Sequence, residues 1–329
     1  MKYTITHDTV TDIHYITVSS TEHTVTFVDF GARIQEWIIP DKHGKKENIL
    51  LSPDTPLEIL NDTAQFGALV GPVAGRIKNG QWNNRQFEKN NGNHHLHGGS
   101  NGWWHQFWLF DVEVAKDSIT VHFMLKDTLT DYPGPIYVKN SYKVTNDSID
   151  MTTSVHADSD TIVNPTNHIY FNLNGQAKQS IANHMLQIHS DTLLETDNEN
   201  IPTGVLLDVD GTGYDFRTPR LLSDSLKDLS QGIDDAFLLQ DIQPQMTLSE
   251  PSTGRQISIS SNRQAAVIFS TTGFEMDQSV SGEKMRSELG IAIETQELPD
   301  IVNHPNLGSI DLEKHQVKTW KTTYTFSIM

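Results

Sequence analysis

The strongest constraint on the fold is a two-residue period of apolar and polar side chains that runs from one end of the chain to the other. Residues 317–329 set Trp320, Thr322, Tyr324, Phe326 and Ile328 on one side, and Lys321, Thr323, Thr325 and Ser327 on the other. A pleated strand with one buried face produces this pattern, and a helix does not. Residues 119–125, 136–138 and 142–144 read as three further short strands, and residues 1–18 alternate Tyr3 and Ile5 against Thr4 and Thr6. Between strands lie residues 41–44, Pro133-Gly134-Pro135 and Asn146-Asp147, which supply conformations a strand cannot hold. Helical signals are confined to residues 56–60, with Thr55 as N-cap, and 223–229, with Leu222, Leu226 and Leu229 on one stripe. No repeat of fixed period and no flexible linker interrupts the pattern. The expectation is an all-β protein: one domain over residues 1–329, a large antiparallel β-sandwich with a few short helices.

The charge balance narrows the partners. Asp and Glu number 42 against 24 Lys and Arg, a formal charge of -18 that repels phosphate backbones and anionic membranes. Nucleic acid and membrane are therefore expected to be absent from the partners, and a small neutral molecule fits. The lack of cysteine excludes disulfides, thiolate nucleophiles and cysteine-based zinc sites. Residues 1–18 carry no apolar stretch of the signal-peptide kind, and no apolar run approaches the roughly 20 residues of a membrane helix. A cytoplasmic location is expected.

Chemistry is expected where the alternation breaks and polar, aromatic and glycine residues gather. One such region joins Gly71–Arg76 to Asn90–Gly99 and to Trp103, Trp104 and Trp108. His94, His95 and His97 lie close enough in sequence to suggest a metal, but on a strand only His95 and His97 share a face and no carboxylate motif completes a site. A solvated loop or a structural hydrogen bond is the plainer reading of His94 and His95. His97 stands beside Gly98-Gly99, which permit close backbone approach to a ligand. A second region sets His168 between the amide Asn167 and the aromatics Tyr170 and Phe171, as a pocket wall or as a satisfied core histidine. A third, residues 291–300, is an apolar strand carrying Glu294, read as partly buried and on a different face from Ala292, with Glu297 and Asp300 solvated. A desolvated carboxyl gains the raised pKa of a base that works near neutrality. In a fourth, Asp234 and Asp235 stand before an apolar strand, and one of them is a turn residue.

In order and over nearly the whole chain, these segments resemble the aldose 1-epimerase (galactose mutarotase) family. The similar motifs are Gly75-Arg76-Ile77 with Leu96-His97-Gly98-Gly99, Thr166-Asn167-His168 with Tyr170-Phe171-Asn172-Leu173, and Glu294-Thr295-Gln296 with Pro299-Asp300. The resemblance implies a galactose mutarotase-like supersandwich with a cleft for a pyranose. It implies Glu294 as the general base that takes the proton of the anomeric hydroxyl, and His168 as the general acid that protonates the ring oxygen. Arg76, His97 and Asp234 would bind the sugar hydroxyls. The substrate implied is a free aldose, galactose or glucose, or a reducing disaccharide such as maltose. Proton transfer alone opens and recloses a hemiacetal, so neither cofactor nor metal is expected. A monomer or homodimer is expected.

The chain departs from the family where many members carry Asn before the binding arginine and Arg earlier in that loop: here stand Gly75 and Pro72. Asp235 replaces a histidine often found after the binding aspartate. These changes bear on sugar preference. Competing readings are a glycoside hydrolase using Asp234 and Glu294, in which His168 has no necessary role, and a carbohydrate-binding or regulatory protein without turnover. A phosphosugar epimerase would present a basic cluster, and only Lys284 and Arg286 stand out. Trp103 and Trp104 are read equally as stacking on a sugar or as packing.

Overall fold

Three antiparallel sheets carry most of the chain in a computed structural model that describes residues 1–329. The largest has nine strands, ordered Leu109–Val114, Ile119–Asp127, Ile136–Val144, Ser148–Ala157, Lys318–Ile328, Arg255–Ser261, Met246–Glu250, Met185–Ile188 and Arg220–Leu221. A six-stranded sheet runs Tyr170–Phe171, Ile291–Gln296, Ala265–Ser270, Asp234–Leu238, Thr192–Thr196 and Pro202–Asp208. Lys2–Asp8, Ile13–Ser19, Thr24–Val28, Arg33–Pro40 and Lys46–Asn48 form a five-stranded meander.

Both smaller sheets pack on the inner face of the largest. Phe27 stacks on Tyr142 with ring centroids 4.9 Å apart, Trp37 meets Phe326 edge-on, and Phe171 lies 6.2 Å from Tyr324. Sixty buried apolar side chains form one contiguous cluster through all three sheets, the sandwich core that the alternation predicts. In the last strand Thr322, Tyr324 and Phe326 are buried as expected, while Trp320 covers the guanidinium of Arg263 at 4.7 Å and Ile328 reaches the surface.

Some expectations are corrected. Residues 136–138 and 142–144 belong to one strand, Ile136–Val144, because Asn140 at its centre is buried and accepts a hydrogen bond from Thr153 Oγ1 at 2.7 Å, so the period continues through a polar residue. Tyr3 and Ile5 stay 40% and 45% exposed, since Lys2–Asp8 is an edge strand that no second layer covers. The helix Pro56–Leu60 starts with a complete capping box between Thr55 and Glu58. The other helix is Leu222–Asp228, with Leu229 as its C-cap. No helix is long and apolar enough to cross a membrane.

One buried ion pair joins the meander to the loops that will wall the functional cavity. The Arg33 guanidinium donates to the Asp62 carboxylate, to Phe66 O at 3.0 Å, to Phe30 O at 3.1 Å and to Trp104 O at 3.3 Å, and neither charged side chain is exposed. Asp62 in turn accepts from the Ala64 and Phe66 N–H groups. Replacing Arg33 by Met leaves the Asp62 charge buried alone, so Arg33→Met should cost about 3–5 kcal/mol. Urea denaturation checks this as a lowered midpoint with unchanged slope.

Candidate active site

The strand Ile291–Gln296 is buried along its whole length between Tyr170–Phe171 and Ala265–Ser270. Residues two apart in a strand share a face. Ile291, Ile293 and Thr295 face the nine-stranded sheet, where the Thr295 and Thr322 hydroxyls hydrogen-bond at 2.6 Å. Ala292, Glu294 and Gln296 take the opposite face. Glu294 therefore shares the side of Ala292, contrary to the sequence expectation, and it is only 2% exposed. A cavity of about 220 Å³ opens over this face, with Val267, Phe269, Tyr170 and Pro299 among its walls.

His168 reaches Glu294 from the position just after the short strand Thr166–Asn167, which pairs with Leu69–Val70. Its backbone exchanges two 2.9 Å hydrogen bonds with Gly67 and Ala68, Thr166 Oγ1 donates to Thr295 O at 3.0 Å, and the Asn167 amide donates inward to Tyr142 Oη. The ring is fixed with Nε2 at 3.3 Å from Glu294 Oε1. Burial pushes the Glu294 carboxyl well above the ordinary carboxylate range; the Asp234 charge adds to this and Arg76 opposes it. Burial likewise holds the His168 imidazole down, at about 4. Both directions favour the uncharged form of each group.

Arg76, Asp234 and His97 line the same cavity. Arg76 Nη1 lies 3.3 Å from Asp234 Oδ2, and its Nε donates to Asn91 Oδ1 at 3.2 Å. Asp234 opens the strand Asp234–Leu238 rather than preceding it, and Asn200 Nδ2 approaches the same Oδ2 at 3.4 Å. His97 does not continue the strand His95–Leu96: its φ of 54° turns it into the cavity, so it shares no strand face with His95. The turn is possible because Gly98 follows at φ 81°, where a Cβ would come within 2.0 Å of Gly71 O. His97 Nδ1 accepts from Gly75 N at 3.2 Å, which leaves Nε2 as the proton-bearing nitrogen. Burial, then the adjacent His168 and Arg76, hold this imidazole well below the usual histidine range, and hence neutral.

The remaining sequence candidates fall outside the cavity. His94 Nδ1 accepts from Asn79 N at 3.1 Å and His95 Nδ1 bonds Glu88 O at 2.7 Å; both rings are buried in structural roles. No group of three His, Cys, Asp or Glu side chains gathers closely enough to hold a metal ion. Trp103 and Trp104 pack, with Trp103 Nε1 donating to Asp127 and Trp104 Nε1 to His97 O. Asp300 is buried rather than solvated, accepting from Lys78 N at 2.9 Å, and Glu297 accompanies the buried Arg263 at 3.6 Å. Of the departures from the family pattern, Pro72 is buried away from the cavity. Gly75 has φ 76°, a conformation open to glycine and asparagine. Asp235 points to the other face of its strand, toward the Tyr214 hydroxyl.

Sequence reasoning gave no role to Gln296, Asn200, Thr196 or Phe274, all of which line the cavity. Gln296 was accessible through the two-residue period from Glu294. Asn200 and Thr196 were not, because their place depends on the hairpin 192–208 lying at the far edge of the six-stranded sheet.

In this all-β sandwich a buried carboxyl–imidazole pair shares one cavity with a guanidinium, a second carboxylate and a second imidazole. The aldose 1-epimerase family model matches residues 14–325, and the chain belongs to that family. It is 33% identical to an aldose 1-epimerase of Streptococcus thermophilus, covering 86% of this chain and 85% of that one. It is 26% identical to a maltose epimerase of Levilactobacillus brevis, covering 95% and 94%. Among solved structures, a galactose 1-epimerase from Lactobacillus acidophilus superposes with a TM-score of 0.88 at 26% identity, covering 99% of both chains.

The Asp235 environment makes a measurable prediction. Burial pushes its carboxyl up to about 6, although the Asp234 N–H it accepts favours the charged form. A folded pKa above the unfolded one means that stability is fully present below about pH 4 and is lost as pH rises through about 6. The whole effect is at most roughly 3 kcal/mol. Asp235→Asn keeps an acceptor for Asp234 N without the titration. Chemical denaturation of both proteins should therefore show the variant gaining on the wild type between about pH 4 and about pH 7; a difference independent of pH contradicts the account.

Proposed function

We propose that this chain interconverts the α and β anomers of a free aldose, with Glu294 taking the proton of O1 and His168 giving one to the ring oxygen. The observation that carries the reading is the 3.3 Å contact between Glu294 Oε1 and His168 Nε2 on the wall of the cavity. In a hemiacetal both reacting oxygens are bonded to C1, so the groups that exchange protons with them must lie side by side.

Two protons move in each half of the reaction, one from O1 to Glu294 and one from His168 to the ring oxygen, so the pair holds one proton before and after. A carboxylate beside an imidazolium and a carboxylic acid beside a neutral imidazole differ only in where that proton sits. Starting from the charged form, Glu294 removes the O1 proton, His168 protonates the ring oxygen, the C1–O5 bond breaks and an open-chain aldehyde forms. The pair is then neutral, the state that burial favours. Rotation about C1–C2 and reclosure on the other face return both protons. Arg76 opposes the neutral form of Glu294 and so supports the charged starting state. Arg76 and His97 Nε2–H donate to sugar oxygens, and Asp234 accepts from a hydroxyl. The Arg76 partnership of Asp234 opposes the acid role that a glycoside hydrolase would require of it.

The cavity volume of about 220 Å³ suits one ring: roughly 150 Å³ suffices for benzene, and drug-sized ligands take about 300 Å³ or more. We therefore place a galactose or glucose ring inside, with the second ring of a disaccharide such as maltose outside the mouth. The continuous core supports reading residues 1–329 as a single domain.

Polarimetry of freshly dissolved α-D-galactose, α-D-glucose and maltose tests this. The wild type should accelerate relaxation, and Glu294→Gln and His168→Asn should each lower kcat/KM by about 10²–10⁴-fold. Activity should also fall as pH drops through about 4, where His168 takes up a second proton and Glu294 can no longer act as base. No acceleration of any of these sugars by folded wild type would refute the reading.

A further inference from the structure

Three side chains on the cavity wall hold buried polar atoms with no hydrogen-bond partner: Glu294 through Oε2, His168 through Nδ1, and Gln296 through both Oε1 and Nε2. The first two belong to the reacting pair. Gln296 is 0% exposed, yet neither end of its amide is tied to the protein. A structural glutamine behaves differently: Gln245, also buried, donates to Ser261 O at 2.8 Å and accepts from Ser261 N at 2.7 Å. A buried donor and acceptor left unmade oppose folding, and such groups persist where a ligand completes them.

Gln296 shares the cavity face with Glu294 two residues on, so its backbone is displaced by roughly 7 Å along the strand. A pyranose with C1 at Glu294 would bring its more distant ring carbons toward that position. The amide's adjacent donor and acceptor match a pair of neighbouring hydroxyls, each of which can both give and take a hydrogen bond.

We propose that Gln296 is a sugar-binding, specificity-determining residue that engages two neighbouring ring hydroxyls away from C1. The proposal rests on the anomer-exchange reading of this cavity. It predicts an opposition between stability and function that a structural residue would not show. An apolar side chain of similar length removes the unmatched amide, so Gln296→Met should melt at a higher temperature than the wild type. The same variant should lose at least tenfold in kcat/KM for galactose.

The test compares wild type, Gln296→Met and Gln296→Asn with galactose and its 2-deoxy, 3-deoxy and 4-deoxy analogues. Readouts are mutarotation rate and the rise in melting temperature that each sugar produces. For at least one deoxy sugar, the penalty seen with wild type should vanish in Gln296→Met. Gln296→Asn, which keeps the amide but shortens its reach, should raise KM. A Met variant that melts lower or does not fold, or deoxy penalties unchanged across the variants, overturns the proposal. Wild type that binds galactose without turning it over would count against the epimerase reading alone, and the melting shifts would still decide the role of Gln296.

Discussion

A carboxyl group on a strand that is buried along its whole length is poorly placed to hold a charge. Glu294 is such a group, and its nearest polar neighbour is an imidazole that burial also strips of charge. Burial disfavours the charged form of both groups, which biases the one proton they share toward Glu294 rather than His168.

The frame around the pair works by removing freedom. His168 is held by reciprocal backbone bonds to residues 67 and 68, and the loop that contains them is tied down by Arg33 and Asp62. On the other side, His97 and Gly75 exchange two hydrogen bonds, ring nitrogen to backbone and backbone to backbone, while Trp104 holds the His97 carbonyl. This sets the imidazole tautomer before any ligand arrives. Arg76 and Asp234 partner each other and remain partly exposed, so their contact can be exchanged for another polar partner at small cost. Glu294 and His168 are therefore deep and rigid, and Arg76 and Asp234 stand nearer the mouth.

Much of the fold was legible in the alternation, because a sandwich buries one face of each strand and the period records which. It failed where burial and polarity part company, as at Asn140 in the middle of Ile136–Val144 and at Tyr3 and Ile5 on an uncovered edge. Residue chemistry alone left Glu294 and His168 each with two meanings; the family resemblance singled them out, and the sheet order brings them together from positions 126 residues apart in sequence. Strand parity is what places Gln296 beside Glu294 and turns Asp235 away from Asp234. The rim residues Thr196 and Asn200 carry no local signal, because only the stacking order of strands brings the hairpin 192–208 over the cavity.

Burial biases Glu294 toward its protonated form beside a neutral His168 before a sugar enters. Infrared difference spectroscopy at neutral pH, wild type against Glu294→Gln, measures this directly. The expected result is a protonated-carboxyl C=O band that is present in the sugar-free wild type, absent from the variant and diminished when galactose saturates the cleft. A Glu294 signal that is carboxylate in the sugar-free protein at neutral pH would contradict it.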